Sequence, residues 1–227
     1  MCGRYSLTSK LNYLQARFDF EAGNLVYRPR YNVAPTQDAL AVVNDGRNRA
    51  GFLRWGLVPF WAKEPRIGSR VINARAETVT EKPAFRQALR NRRCLVLADG
   101  FYEWKKEGAA KVPMYIASRS GEPFGMAGLW ETWKAPSGEP LHSCTIITTA
   151  ANSLMEPIHD RMPVILTQEA EAAWLDRGVD DPVALTQLLV PYPAPELQAY
   201  PVSTLVNSPR NDAPECIQPA GDIFQAT

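Results

Sequence analysis

The chain is 227 residues long, 45% hydrophobic and 22% charged, with a net charge of +1. That is the profile of an ordinary globular protein with ample apolar material for a core, expected to form a single domain over residues 1–227. Neither a secretory leader nor an apolar run of about 18–20 residues is visible, so a cytoplasmic, nucleoid-associated protein without membrane segments is expected. Cys2, Cys94, Cys144 and Cys216 are far apart and form no C-x-x-C pair, which argues against a disulfide framework or a zinc site.

The small net charge conceals an asymmetry. Residues 1–111 carry 20 Lys/Arg against 10 Asp/Glu, and residues 112–227 carry 5 against 14. This points to an acidic partner for the first half, or to two halves that interleave and merely solvate one surface.

Arg4 to Leu7 reads as a short strand, and Thr8 or Ser9 offers a cap for a helix carrying Leu11, Leu14 and Phe18. Glu21 to Gln37, with Pro29, Asn32 and Pro35, reads as a loop. Ala39–Asn44 and Ala50–Leu57 form a hairpin about the Asn-Asp-Gly turn at 44–46. A loop with Phe60, Trp61 and Pro65 leads to an extended piece, Val71 to Arg75, and Pro83 opens a helix. Cys94–Ala98 is a buried strand, followed by strands at 112–117, 124–130, 144–149 and 163–166. Thr167 and Asp181 cap two helices, and the proline-rich end from Pro191 wraps the surface, its last ten or so residues forming a disordered tail. Strands without regular crossover helices predict an α+β fold, with a mainly antiparallel, barrel-like sheet and helices around it.

Cys2 is the first residue with distinctive chemistry. Removal of Met1 would leave its α-amine beside its thiol, with reference pKa values of ~7.7–8.0 and ~8.5. An aldehyde meeting this pair can form an imine, which the sulfur closes to a five-membered thiazolidine in an intramolecular step. Glu103, beside three aromatics in Phe-Tyr-Glu-Trp, could act as an acid with a raised pKa, or be a solvated carboxylate at a strand end. His159 could move protons, or be a structural histidine. Asn73 and Arg75 alternate onto one face of an extended segment, suited to orienting a hydroxyl and gripping a phosphate, or simply forming a polar edge. Pro35 and Trp61 sit on separate loops where an exposed ring could stack on a base.

Met-Cys-Gly-Arg at the start, Tyr-Asn-Val-Ala-Pro at 31–35, Ile-Asn-Ala-Arg-Ala-Glu-Thr at 72–78, Ala-Asp-Gly-Phe-Tyr-Glu-Trp at 98–104 and Ile-His-Asp-Arg-Met-Pro at 158–163 occur in that order. Together they resemble the SOS-response-associated peptidase (SRAP) family of abasic-site processing proteins. The resemblance implies binding of abasic sites in single-stranded DNA and a thiazolidine link from Cys2 to the ring-opened sugar, with weak lyase activity, crosslink reversal and loss of Met1 as accompanying steps. It assigns Asn73 beside the linkage, Glu103 to ring opening and imine chemistry, and His159 to the sugar oxygen and to reversal. It places Arg4, Arg75 and Arg161 on phosphates, and Pro35 and Trp61 against flanking bases. No cofactor or metal is implied, and a monomer is expected. Two alternatives stand beside it: a cysteine peptidase using Cys2 and His159, and a non-catalytic single-strand binding module.

Overall fold

The computed structural model describes residues 2–220. Met1 and residues 221–227, on which the expected methionine removal and most of the expected tail fall, lie outside the described residues.

Five strands close into a barrel. They are β3 (Asp38–Asn44), β4 (Asn48–Trp55), β6 (Arg93–Ala98), β9 (Phe124–Lys134) and β10 (Pro140–Ala150). Going round the ring, β4 pairs β3, β3 pairs β6, β6 pairs β9 and β9 pairs β10, all antiparallel, and β10 returns to β4 in parallel. An odd number of strands cannot close with strict alternation of direction, so one parallel junction is a geometric necessity. Closure leaves no free edge within the ring, which removes the pairing hazard of an open sheet. All six residues of β6 are buried, as its continuous apolar run predicts. The helix α3 (Gln168–Leu175), capped by Thr167 as expected, packs on it, with Trp174 Nε1 donating to Cys94 O at 3.0 Å.

β10 is longer than its barrel partners need. Beyond the parallel junction, β5 (Asn73–Arg75) continues along the β4 side, with Asn73 opposite Ile146 and Arg75 opposite Thr148. On the other side β11 (Arg161–Pro163) takes over from β9, with Arg161 opposite Ala150. The 146–150 stretch therefore gathers two distant segments of sequence at one end of the barrel.

A second sheet runs in the order β12 (Leu197–Pro201), β8 (Ala110–Ser118), β7 (Gly100–Glu107), β1 (Tyr5–Leu7), β2 (Arg30–Val33). Its strands pair antiparallel throughout. Tyr5 and Phe101 from this sheet and Trp55 and Leu97 from the barrel join one apolar cluster, and the Tyr5 and Trp55 rings lie 5.3 Å apart. Burying side chains of this size contributes about 1.5–3 kcal/mol each.

Four strands differ from the sequence expectation. β2 lies in the predicted 21–37 loop, β12 in the predicted surface tail, β7 follows directly from the turn at Asp99, and β11 ends at Pro163, the first residue of the strand expected at 163–166. The helix α1 (Leu11–Phe18) is present, but neither Thr8 nor Ser9 caps it; its N-cap is Lys10, which makes no side-chain cap bond. Both hydroxyls and both backbone N–H groups of Thr8 and Ser9 instead donate to the carboxylate of Asp99. Pro83 also lies ahead of its helix, α2 (Arg86–Asn91), rather than at its first turn. No described helix is long and apolar enough to cross a membrane.

Candidate active site

Cys2 enters the structure just ahead of β1. That strand pairs antiparallel with β7, Tyr5 opposite Phe101, and Tyr102 N donates to Arg4 O at 2.9 Å. Continuing the register sets Gly3 opposite Glu103, so strand pairing alone carries Cys2 to the Glu103 end of β7. Cys2 is fully buried and Glu103 is 3% exposed.

Burial sets the electrostatics. It raises the Cys2 thiol pKa far above the ordinary range, and the nearby Glu103 charge adds to this, while the N–H of Arg4 opposes it. The thiol is therefore protonated at rest. Burial also raises Glu103, which His159 pulls the other way. Glu103 is thus the shared neighbour, its charge bearing on Cys2 and that of His159 bearing on it, although the three residues come from the segment ahead of β1, from β7 and from the turn before β11.

His159 is held by its own turn. Its backbone N–H donates to Met155 O at 2.8 Å, and its Nδ1 accepts from Arg161 N at 3.0 Å with Asp160 Oδ1 2.8 Å away. Asn73, half-buried at the start of β5, has a long 3.4 Å contact from Nδ2 to Ile146 O. Its Oδ1 is buried and has no hydrogen-bond partner among the described residues. A buried amide oxygen left open is costly, and a substrate hydroxyl or amine would satisfy it.

The three expected phosphate contacts are in different states. Arg75 is exposed, with no ion pair among the described residues. Arg161 is bound in a fork to Glu77, at 2.6 and 3.0 Å, and to Thr148 O at 2.6 Å. Arg4 is turned inward: 9% exposed, it donates through Nη1 to Asn32 Oδ1 at 2.8 Å and Val206 O at 2.6 Å. A phosphate contact from Arg4 has to compete with those bonds, which tie β1 to β2 and to the turn at 204–207.

Pro35 is half-buried in the turn between β2 and β3, whereas Trp61 is 51% exposed beside the exposed Phe60. The Trp61 loop is closed at its base by two glycines. A Cβ on Gly56, whose φ is +128°, would stand 2.6 Å from Gly68 O, and one on Gly68 would stand 2.5 Å from Gly56 O. Only glycine permits that approach. The loop borders an open cleft of ≈ 680 Å³ lined by Trp61, Lys63, Arg66 and Arg70 among others. Glu77 belongs to the Ile-Asn-Ala-Arg-Ala-Glu-Thr stretch, but nothing in that stretch marks it as the partner of Arg161. Those residues are 84 positions apart, and no local pattern reports such a pair.

Residues 1–209 match the family described as SOS response associated peptidase (SRAP). The chain belongs to the SRAP family. The Bacillus subtilis abasic site processing protein YoqW is 52% identical over 222 residues, covering 96% of this chain and 99% of that protein. The Xenopus tropicalis abasic site processing protein HMCES is 36% identical, covering 84% of this chain and 66% of that longer protein. A crystal structure of a Bacteroides thetaiotaomicron protein superposes with a TM-score of 0.88 at 31% identity, covering 96% of this chain and 100% of that one. The barrel-like α+β architecture is thus the SRAP fold.

Proposed function

We propose that the protein processes abasic sites in single-stranded DNA by capturing the ring-opened sugar covalently on Cys2. The observation that carries this reading is the buried Glu103, brought to Cys2 by the β1–β7 register and within electrostatic reach of both Cys2 and His159. The names of the relatives YoqW and HMCES supply the substrate class.

The chemistry follows from the protonation states. An abasic sugar is in equilibrium between a closed ring and an aldehyde, and opening requires one proton donor and one acceptor. Glu103, its pKa raised by burial, holds a proton more readily than an ordinary carboxyl and can deliver it to a departing oxygen. His159 supplies the second proton-transfer group beside it. With Met1 removed, the Cys2 amine adds to the aldehyde carbon, and the carbinolamine loses one water to give an imine. The thiol then adds to the same carbon, its proton passing to the nitrogen, so the net change is the loss of one water. A buried thiol that stays protonated until the imine forms beside it suits this order. The open Oδ1 of Asn73 can hold the nitrogen or a sugar hydroxyl. If the sulfur fails to close the ring, the imine permits β-elimination, a weak lyase reaction.

Arg75 and the exposed rings of Phe60 and Trp61 suit a single strand whose bases are available for stacking. Glu103, Asn73 and His159 require no cofactor for these steps. A cysteine peptidase using Cys2 and His159 finds less support, because it needs a ready thiolate and burial works against one.

The test is incubation with an oligonucleotide carrying one abasic site, followed by denaturing electrophoresis. A heat-stable shifted band with the wild-type protein, absent with Cys2→Ala, is expected. A Cys2→Ala protein that protects the abasic strand as well as wild type would instead identify a non-covalent binding module. Peptide turnover without any adduct would favour the peptidase.

A further inference from the structure

Arg75 and Arg161 flank the same stretch of β10, yet only one of them is available to a phosphate. Arg161 is 14% exposed and its partner Glu77 is 51% exposed, so an approaching strand meets the carboxylate first. The guanidinium has five N–H donors. Nη1 is used by Glu77 Oε1, and Nη2 by Glu77 Oε2, Thr148 O and Thr148 Oγ1. Its Nε is buried and has no partner among the described residues. One Nη1 N–H is left over, so a phosphate can meet Arg161 at a single point, but a two-pronged contact has to displace Glu77. The hydrogen bond from Arg161 holds the Glu77 carboxyl below the usual carboxylate range, so Glu77 remains an anion at neutral pH.

We infer that Glu77 is a specificity-determining residue, which silences Arg161 toward undamaged DNA and lets it engage only a strand seated deeply enough to displace the carboxylate. This rests on the reading that the Arg75–Arg161 end of the barrel meets DNA. Non-specific binding to nucleic acid is driven by free cations that replace the counterions of the phosphates, and each such contact steepens the salt dependence. Moving Arg161 from Glu77 to a phosphate releases one carboxylate for each phosphate neutralised, so it adds little to that term. An undamaged strand then gains attraction from Arg75, on which the Glu77 charge acts only through space, but little from Arg161. A strand whose abasic sugar enters between Cys2 and His159 brings its neighbouring phosphate against β11, where exchange with Glu77 becomes worthwhile.

The experiment measures Kd for an undamaged single-stranded oligonucleotide across a salt series. It compares wild type, Glu77→Gln, Arg161→Ala and the double variant. Glu77→Gln keeps the size and polarity of a half-exposed side chain and removes only the charge. It is expected to tighten binding at low salt and to steepen the slope of log K against log salt by about 0.7, an extra two- to three-fold loss of affinity between roughly 50 and 200 mM. Adding Arg161→Ala should cancel that gain, whereas Arg161→Ala alone should move the slope little. Glu21→Gln makes the same charge change beside Arg47, at the β3–β4 turn, which the parallel β4–β10 register sets at the opposite end of the barrel from Thr148. It should leave the slope at the wild-type value.

A Glu77→Gln protein that binds more weakly or with an unchanged slope would overturn the inference, leaving Glu77 as a residue that only orients Arg161. An Arg161→Ala single variant that flattens the slope by a full phosphate contact would overturn it equally. Adduct formation by wild type on an abasic strand, measured in parallel, separates the two claims. Loss of that adduct removes the covalent reading, while a normal adduct with an unmoved Glu77→Gln slope removes this inference alone.

Discussion

Asp99 and Glu103 are two carboxylates on one short run of chain, placed in opposite circumstances. Asp99, half-buried at the turn into β7, accepts hydrogen bonds from the backbone and hydroxyl groups of both Thr8 and Ser9. It fixes the exit of β1 and thereby the strand that delivers Cys2. Glu103 is almost completely buried, and its pKa is raised chiefly by that burial. The first acid ties four donors of a neighbouring turn together; the second is held where burial makes its anion costly. A carboxyl that knits several donors together is a fastener, whereas one whose charge is disfavoured by burial is poised to give up or take a proton.

The sharpest way to break this contrast is to remove the charge from each. Glu103→Gln should slow adduct formation on an abasic strand by about 10²–10⁴-fold, the usual contribution of a general acid–base group, read as initial rates on denaturing gels. An unchanged rate would strip Glu103 of its role. Asp99→Ala should instead destabilise the fold by about 2–4 kcal/mol, since four donors lose a charged acceptor. That corresponds to a fall of roughly 5–15 °C in Tm for a chain of this size. Below its new melting range the variant should still form adduct, because Asp99 touches none of the reacting groups.

A smaller effect tests the sign of the Glu103 environment. Its folded pKa lies above its unfolded value, so the stability linked to its protonation is fully present below the ordinary carboxylate range. It is lost as pH rises through the raised value. Glu103→Gln should therefore match wild type in stability near pH 4 and become the more stable protein towards pH 7, by thermal or urea unfolding. If wild type were the more stable at pH 7, the carboxylate would be a fastener like Asp99 after all.

Much of this architecture is readable in the sequence where one local signal suffices. The Asn44–Gly46 turn between alternating segments announces β3 and β4, and the unbroken run at 94–98 announces a buried strand. β7 is hidden because Gly100–Glu107 mixes aromatic and charged residues, a pattern set by pairing on both sides with β1 and β8. β2 and β12 are masked by neighbouring prolines. Thr8 and Ser9 look like helix caps, yet a carboxylate about ninety residues away takes their donors. The charge asymmetry between the halves also weakens in three dimensions, because β1 and β2 share a sheet with β8 and β12, and β3, β4 and β6 share the barrel with β9 and β10. At the site, Cys2, Glu103 and His159 are legible as motifs with individually plausible chemistry. The inward commitment of Arg4 and the Glu77 lock on Arg161 are not, since both depend on partners supplied by remote turns.

The most direct test of the covalent account is the intact mass of the species formed on a single-stranded oligonucleotide with one abasic site. The mass should equal protein lacking Met1 plus oligonucleotide minus one water, and peptide mapping should place the link on Cys2 as a thiazolidine. A protein retaining Met1, or acetylated on the Cys2 amine, should bind the strand and yield no such species. Normal adduct yield from that blocked protein would contradict the account, because the amine and the thiol of Cys2 would then not be acting together.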